Sequence, residues 1–496
     1  MSRFNQSVKN SKVTENHEGE TAYKLSPELE LYSLSCTSLM QPKFYEKDTE
    51  QLDRLRDLIK KCSPEFVVKL AIYAREQMYL RTIPIVLVVE LAKIHKGDNL
   101  ISKATERIIQ RADEITEMLA YYQFANNRTE LKKLNKLSKQ IQIGIANSFH
   151  KFNEYKFAKY NRKTEVKLKD ALFLCHAKPL NEEEDVLFKK IINDNLSVPY
   201  TWETMLSEAG QKGEDKKVIW EELIDSNKVG YMAMLRNLRN MLDAKISNEH
   251  MIKVTNFLKR PDNVRNSKQL PFRYFSAYRE LEQNASINTD MILGALEEAV
   301  KVSIGNVKGL DCNVLIASDV SGSMESTISA RSSVELYDIG LLLGQLLKLK
   351  SPSSICGFFG DIWKVKRFTG DTPLQNTLRL HECEGEVGYS TNGYKVIEWL
   401  LQNKTVMDKV FIFTDCQMWD SYTGSNTFKE YWNQYKQLSP NAKLYLFDLN
   451  GYGNTPINTR QNDVYLISGW SEKVFDMLDS IDNGTKNLQA INTIQI

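Results

Sequence analysis

No stretch of this 496-residue chain is long and apolar enough to span a membrane as a helix, which takes ~18 or more apolar residues. The longest candidate, Ile83 to Leu91, is short and contains Pro84. A secretory leader is not expected either, because the first twenty residues are polar and mixed in charge. Paired cysteines are also missing. The seven cysteines are scattered singly and no CxxC occurs, which argues for free thiols in a reducing, cytoplasmic setting and against a zinc site. Charge of one sign is scarce overall, at +2 net, but the balance is uneven along the chain. Residues 1–300 carry 47 basic against 42 acidic side chains, and residues 301–496 carry 18 against 21. Within 131–178, twelve lysines and arginines face only Glu154, Glu165 and Asp170. A local excess of that size attracts a polyanion or an acidic surface.

What is present has two textures. With 42% hydrophobic and 26% charged residues the chain reads as a globular protein too long for one core. Residues 1–21 lack apolar periodicity and read as a flexible arm. From there to about 305, apolar residues recur at three- and four-residue steps. The segments are Asp53–Lys61, Pro64–Met78, Ile83–His95, Ile101–Tyr122, Glu130–Asn147 and Glu183–Asp194, punctuated by Ser63-Pro64, Pro84, Gly97 and Pro179. Serial short helices with hardly a strand signal imply stacked antiparallel pairs, an α-solenoid. From 306 to 496 short apolar runs alternate with helical stretches. The runs are Asn313–Ser318, Ser354–Phe359, Lys409–Thr414, Lys443–Asp448 and Val464–Ser468, with helices near 334–349, 388–402, 427–438 and 471–482. That alternation predicts a doubly wound, mostly parallel sheet, with Lys364–Thr369 as an antiparallel edge. The fold class is therefore multidomain, α followed by α/β.

In such sheets ligands bind beyond the C-terminal strand ends. There the first apolar run leads into Asp319-Val320-Ser321-Gly322-Ser323. One carboxylate and two hydroxyls at alternate positions can aim three oxygens at one centre, with Gly322 expected to permit the turn. Hard, few ligands suit Mg²⁺ better than Ca²⁺. Two more oxygen donors follow other strands: Thr391, in Gly388-Tyr389-Ser390-Thr391-Asn392-Gly393, and Asp415, at the end of Lys409–Thr414. Asp361 and Glu386 are weaker candidates.

This set resembles the metal-ion-dependent adhesion site of von Willebrand factor A domains. In that family an Asp-x-Ser-x-Ser loop, a threonine and an aspartate hold a divalent ion whose open position often takes a partner's carboxylate. The resemblance assigns those roles to Asp319, Ser321, Ser323, Thr391 and Asp415. Hydrolysis would need a general acid or base nearby, and the sequence offers only His381. The expectation is a protein that is not an enzyme.

Charge and aromatic rings are interleaved in 131–178, at Phe149, Phe152, Tyr155, Phe157, Tyr160 and Phe173. Lysines neutralise phosphates and exposed rings stack unpaired bases; the same rings could equally form core. The stretches Ala158–Lys163 and Lys169–Pro179 resemble the TROVE module of the Ro autoantigen family, bacterial members included. Arg111-Ala112-Asp113-Glu114, Met232–Arg239 and Pro271-Phe272-Arg273 resemble it too. The order, TROVE then von Willebrand A, is that of Ro proteins. The resemblance implies a monomeric ring of HEAT-like repeats closed by the A-like domain. It also implies binding of small noncoding Y-like RNA and of single-stranded or misfolded RNA ends, alongside an exoribonuclease and away from membranes. The residues it places at RNA are Lys159, Arg162, Lys163, Lys167, Lys169 and His176, with Arg236, Arg239 and Arg273. Phe173 departs from the vertebrate pattern, where a basic residue stands. The competing reading is a scaffold whose metal loop clasps an acidic protein partner, RNA not being the ligand.

Overall fold

Serine followed by proline opens helices here. Ser63 caps Pro64–Glu76 by accepting the Phe66 N–H, and Ser26 caps Pro27–Cys36 through the Leu29 N–H. The computed structural model describes residues 13–37, 47–127, 137–161, 164–283, 287–305, 307–329, 332–367, 372–383, 385–419, 427–459, 463–475, 478 and 488–496. In chain order the first elements are β1 (Val13–Glu15), β2 (Thr21–Lys24), α1 (Pro27–Cys36), α2 (Asp48–Lys61), α3 (Pro64–Glu76), α4 (Thr82–Ile94), α5 (Leu100–Ile108) and α6 (Ala112–Ala125). Then come α7 (Lys139–Phe149), α8 (Glu154–Tyr160), α9 (Leu168–Cys175), α10 (Glu182–Ile192), α11 (Trp202–Lys212), α12 (Lys216–Asp225), α13 (Tyr231–Arg236) and α14 (Leu238–Asp243). They are followed by α15 (Asn248–Lys259), α16 (Pro261–Ser267), α17 (Pro271–Glu282) and α18 (Ile287–Ser303).

The chain divides into two compact units, one of residues 1–52 with 258–489, the other of residues 53–257 with 490–496. In the second unit the helices stack in two rows. Helix α3 packs on α5, α5 on α7 and α7 on α9, while α4 packs on α6 and α6 on α8. Pairing each helix with the next but one is the arrangement expected of a helical solenoid. The predicted single helix Ile101–Tyr122 is two, because Glu114 accepts the Gln110 and Arg111 N–H groups and restarts the chain as α6. Glu114 also receives Arg75 at 2.9 Å and Arg81 at 3.1 Å. The Arg111–Glu114 motif is thus a structural joint. Part of the predicted helix Glu130–Asn147 lies outside the described residues; the remainder is α7.

In the first unit the remaining elements are β3 (Val314–Asp319), α19 (Leu336–Lys350), β4 (Ile355–Phe359), β5 (Trp363–Val365), α20 (Pro373–His381), α21 (Tyr394–Gln402), β6 (Lys409–Thr414), α22 (Phe428–Leu438), β7 (Lys443–Asp448), β8 (Asn454–Thr455) and β9 (Val464–Ser468). The sheet order is β5-β4-β3-β6-β7-β9, parallel except for the antiparallel edge β5. The five parallel strands were legible as apolar runs; the edge expected at Lys364–Thr369 is shorter and starts one residue earlier, with residues 368 and 369 outside the described part. The chain leaves β3 toward β4 and later returns to the other side of β3 as β6, so the topological switch lies between β3 and β6. Helices α16–α18, expected with the solenoid, belong to this unit.

Residues 13–21 are not part of a loose arm. β1 and β2 form a hairpin with Val13 opposite Tyr23, and β2 pairs with β8, so three short strands make a second small sheet. Residues 1–12 lie outside the described part.

Candidate metal centre and basic helical face

Asp319 is the last residue of β3 and Asp415 the first after β6, so the switch point sets two carboxylates side by side. Both are fully buried, as is Ser321, and Ser323 and Thr391 are nearly so. The Ser321 N–H donates to Asp319 Oδ1 at 3.0 Å, the Thr414 hydroxyl to Asp319 Oδ2 at 2.6 Å, and the Gln417 N–H to Asp415 Oδ1 at 3.0 Å. The Ser321 and Ser323 hydroxyls lie 3.4 Å apart. Three loops are tied together by their backbones: Val320 N–H to Phe359 O, Gly322 N–H to Tyr389 O, and Trp419 N–H to Thr391 O. The last two bring the Thr391 loop against both aspartate loops. Gly322 sits in the turn as expected, without a positive φ. It begins the short 3₁₀ turn Gly322–Glu325, where a Cβ would meet only the Tyr389 carbonyl at 3.9 Å. The left-handed residue is Cys416, at φ 65°, directly after Asp415.

The electrostatics mark an uncompensated site. Burial pushes Asp319 above the usual carboxylate range, and burial together with the neighbouring Asp319 pushes Asp415 higher still. Asp415 Oδ2 is buried without a hydrogen-bond partner. An orphaned carboxylate oxygen beside a second carboxylate and two hydroxyls is the donor set a small hard cation requires. Asp319, Ser321, Ser323 and Asp415 therefore fit such an ion, while Thr391 is placed only through its carbonyl, which accepts the Trp419 N–H. The weaker candidates are otherwise engaged: Asp361 accepts the Ser390 N–H, and Glu386 pairs with Lys364 and Lys366. His381 is held by Asp338 at 2.7 Å and by Tyr337 at 3.2 Å. Glu335, Asp338 and His381 cluster closely enough to share an ion, but Arg279 already neutralises Asp338 at 3.1 Å. Thr414 and Gln417, which both orient the carboxylates, were missed by the sequence reading. Only the hydroxyl at the strand end gave any signal.

The basic stretch sorts its rings cleanly. Phe149, Phe152 and Phe157 are core, stacked or edge-on to one another within 5.6–5.7 Å. Tyr160 is half-buried under the Arg111 guanidinium, 4.4 Å from the ring centre. Tyr155 and Phe173 are exposed, at 45% and 60%. So the interleaving predicted from sequence is half core and half surface. The buried rings follow the spacing that packs α7, α8 and α10 together.

Of the residues assigned to RNA, Lys159 lies on α8 with its ammonium 5.9 Å from the Tyr155 ring and 5.7 Å from the Tyr160 ring. Lys167, at the start of α9, and His176, at its left-handed C-terminus, are exposed. Lys169 is paired with Asp194 at 2.7 Å, which raises its pKa and leaves it a weaker phosphate ligand than expected. Arg162 and Lys163 lie outside the described residues. Arg236 and Arg239, on α13 and α14, are exposed, Arg239 at 3.9 Å from Asp243. Arg273 is exposed over the Phe272 ring, in the other unit. Two neighbouring acids are already satisfied. Glu154 is lowered to about 2 by Lys190 and Ser197, and Asp170 caps the Lys167 N–H. A groove that the sequence did not reveal runs beside α8. Its volume is about 610 Å³, and Tyr155, Val198, Tyr200 and Lys228 line it, with Lys228 4.7 Å from the Tyr200 ring centre.

Against known proteins, the TROVE domain family matches residues 29–195 and 194–292, and the Ro60 vWA domain family matches residues 313–481. The crystal structure of the Deinococcus radiodurans RO (RSR) protein covers 93% of this chain and 100% of its own, at 16% identity and a TM-score of 0.61, a likeness of fold. Telomerase protein component 1 of Mus musculus is 25% identical over 338 residues, and that of Rattus norvegicus 25% over 298. Those matches cover 51% and 44% of this chain but only 13% and 11% of the relatives' own length.

Proposed function

Because the chain belongs to the Ro family, an RNA-binding family, with a TROVE domain and a Ro60-type von Willebrand A domain, we propose that it binds small noncoding RNA of the Y type and single-stranded or misfolded RNA ends. In this reading it is a cytoplasmic, non-catalytic component of RNA quality control, maturation or decay. The observation that carries the reading is the exposed run on α8 and α9. Lys156 and Lys159 on α8, Lys167 and His176 at the two ends of α9, and Lys178 just beyond it are exposed, as are the rings of Tyr155 and Phe173, with the Lys159 ammonium 5.9 Å from the Tyr155 ring centre. Lysines there neutralise phosphates while the rings offer faces to unpaired bases. Phe173 then substitutes stacking for the charge found at that position in the vertebrate pattern. Two supporting facts concern the surroundings: all seven cysteines are free, and among the described residues no helix is long and apolar enough to cross a membrane.

Asp319, Ser321, Ser323, Thr391 and Asp415 would hold Mg²⁺, which supplies a concentrated positive charge able to take a carboxylate from a protein partner such as an exoribonuclease. Thr414 and Gln417 keep the two aspartates aimed at one centre. The scaffold reading, in which that carboxylate clasp is the whole function, draws on the same orphaned oxygen of Asp415.

Binding of a short single-stranded RNA and of a stem-loop RNA, measured on filters against salt, separates the two. With about four phosphates neutralised, the logarithm of affinity falls against that of salt with a slope of about −3 for a single strand. The Lys159→Glu, Lys167→Glu double variant loses about tenfold in affinity at moderate salt with an unchanged melting temperature. Equal affinity in the variant removes the α8–α9 face from the footprint. No RNA binding by a wild-type chain that still takes Mg²⁺ leaves the scaffold.

A further inference from the structure

The turn of the N-terminal hairpin is joined to the loop that follows Asp415, four hundred residues away in sequence. Asn16, 8% exposed, closes the turn by accepting the Glu18 and Glu20 N–H groups at 3.0 and 2.9 Å. Its amide nitrogen then donates outward to Met418 O at 2.7 Å. The His17 N–H donates to Gln417 Oε1 at 2.9 Å, and the Trp419 indole N–H to Glu18 Oε2 at 2.6 Å. β2 in turn pairs with β8, which sets Lys24 opposite Asn454.

Gln417 is where these contacts converge. It is fully buried. Its backbone N–H donates to Asp415 Oδ1 at 3.0 Å, and its side-chain amide to Asp415 O at 3.3 Å and Asn454 Oδ1 at 2.9 Å. Its remaining acceptor is filled by the hairpin. Trp419, which the hairpin also grips, donates its backbone N–H to Thr391 O at 2.9 Å. Two of the five cation donors are thus positioned through residues whose polar atoms the hairpin completes. A buried amide left without its partner destabilises the conformation that needs it. The segment that reads as an arm is therefore placed as part of the site's supporting shell.

We infer that the β1–β2 hairpin is a component of the metal centre: docked through Asn16, His17 and Glu18, it positions Asp415 by way of Gln417 and Thr391 by way of Trp419, so that cation binding and hairpin docking strengthen one another. The inference rests on the reading of Asp319, Ser321, Ser323, Thr391 and Asp415 as a cation site. Reciprocity follows from linkage: whatever factor the docked hairpin adds to cation affinity, the cation adds to docking. Outer partners of metal ligands are worth about tenfold or more in affinity.

The test uses the full chain and Mg²⁺ alone. Titration calorimetry gives the affinity of wild type, Asn16→Ala and Gln417→Leu, and hydrogen exchange of residues 13–24 is followed with and without Mg²⁺. The expected result is a loss of about tenfold in Mg²⁺ affinity in both variants. Mg²⁺ also slows hairpin exchange in wild type but not in Asp319→Ala. Asn16→Ala lies outside the strands, so its metal-free melting temperature separates a positioning role from misfolding. If the wild type binds Mg²⁺, Asn16→Ala binds it equally and hairpin exchange ignores the ion, the inference is overturned and the cation site stands. If the wild type binds no Mg²⁺, both fall.

Discussion

Asp338 and Asp415 are both fully buried, yet their surroundings treat them oppositely. Asp338 receives the Arg279 guanidinium at 3.1 Å, His381 Nδ1 at 2.7 Å and the Glu335 N–H at 2.9 Å, so its charge is answered on every side. Asp415 has another carboxylate for a neighbour and one oxygen with no partner. The first is a structural ion cluster, the second belongs to the proposed cation site. A pH dependence belongs to the first. The Asp338 hydrogen bond holds His381 above its ordinary 6.5, against the opposing effect of burial and of Arg279, with Glu335 adding to the rise and Tyr337 on the other ring nitrogen. A basic group raised on folding stabilises fully below pH 6.5, and that contribution is lost as pH climbs through the raised value. His381→Gln removes it. Its melting temperature falls furthest below that of wild type at pH below 6.5, and the gap narrows as pH climbs through the raised value. A gap independent of pH, in melting curves at matched salt, would mean His381 is not charged in the folded chain.

At the scale of elements, the close approach of α5 and α7 depends on one missing side chain. A Cβ on Gly144 would run into the Thr105 side chain and the Ser102 carbonyl, so glycine is what lets this pair of the odd-numbered row meet. Gly144→Val separates the two helices and destabilises by about 2 kcal/mol or more, read as a lowered urea midpoint. An unchanged midpoint would show that the row has slack. The same scale explains the split among the aromatics. Phe149, Phe152 and Phe157 fall on faces that neighbouring helices cover, whereas Tyr155 and Phe173 fall on faces that none covers. Lys151 shows the same logic. Its ammonium is turned inward to the Glu106 and Ile109 carbonyls, and burial lowers its pKa, so a residue that counted toward the basic excess is a structural tie.

At the scale of the whole molecule, a cation bound only by the folded chain stabilises it by mass action. At an Mg²⁺ concentration about 100-fold above its dissociation constant the gain is about 2.7 kcal/mol. Scanning calorimetry of the wild type with Mg²⁺ and with a chelator reads this as a raised melting temperature. Asp319→Ala gains nothing from the ion. An equal rise in that variant would place the cation elsewhere.

The amino-acid sequence by itself determined the two textures, the five parallel strands and the existence of an antiparallel edge, the starts of α3, α4, α5 and α10 to within a residue, and the Asp319–Ser323 loop with Thr391 and Asp415 at other strand ends. All of these follow from local periodicity, proline and serine caps, and the rule that parallel sheets bind at their C-terminal edge. Tertiary structure alone decided which rings and lysines face outward, that Lys169 is tied to Asp194, and that α16–α18 join the sheet-bearing unit. It alone turned residues 13–21 from an expected arm into part of a hairpin that packs on the loop after Asp415. The hairpin has too few apolar residues to announce itself, and its partners Gln417, Met418 and Trp419 lie some 400 positions on. Contacts of that separation leave no trace in local patterning; only the closed fold satisfies them.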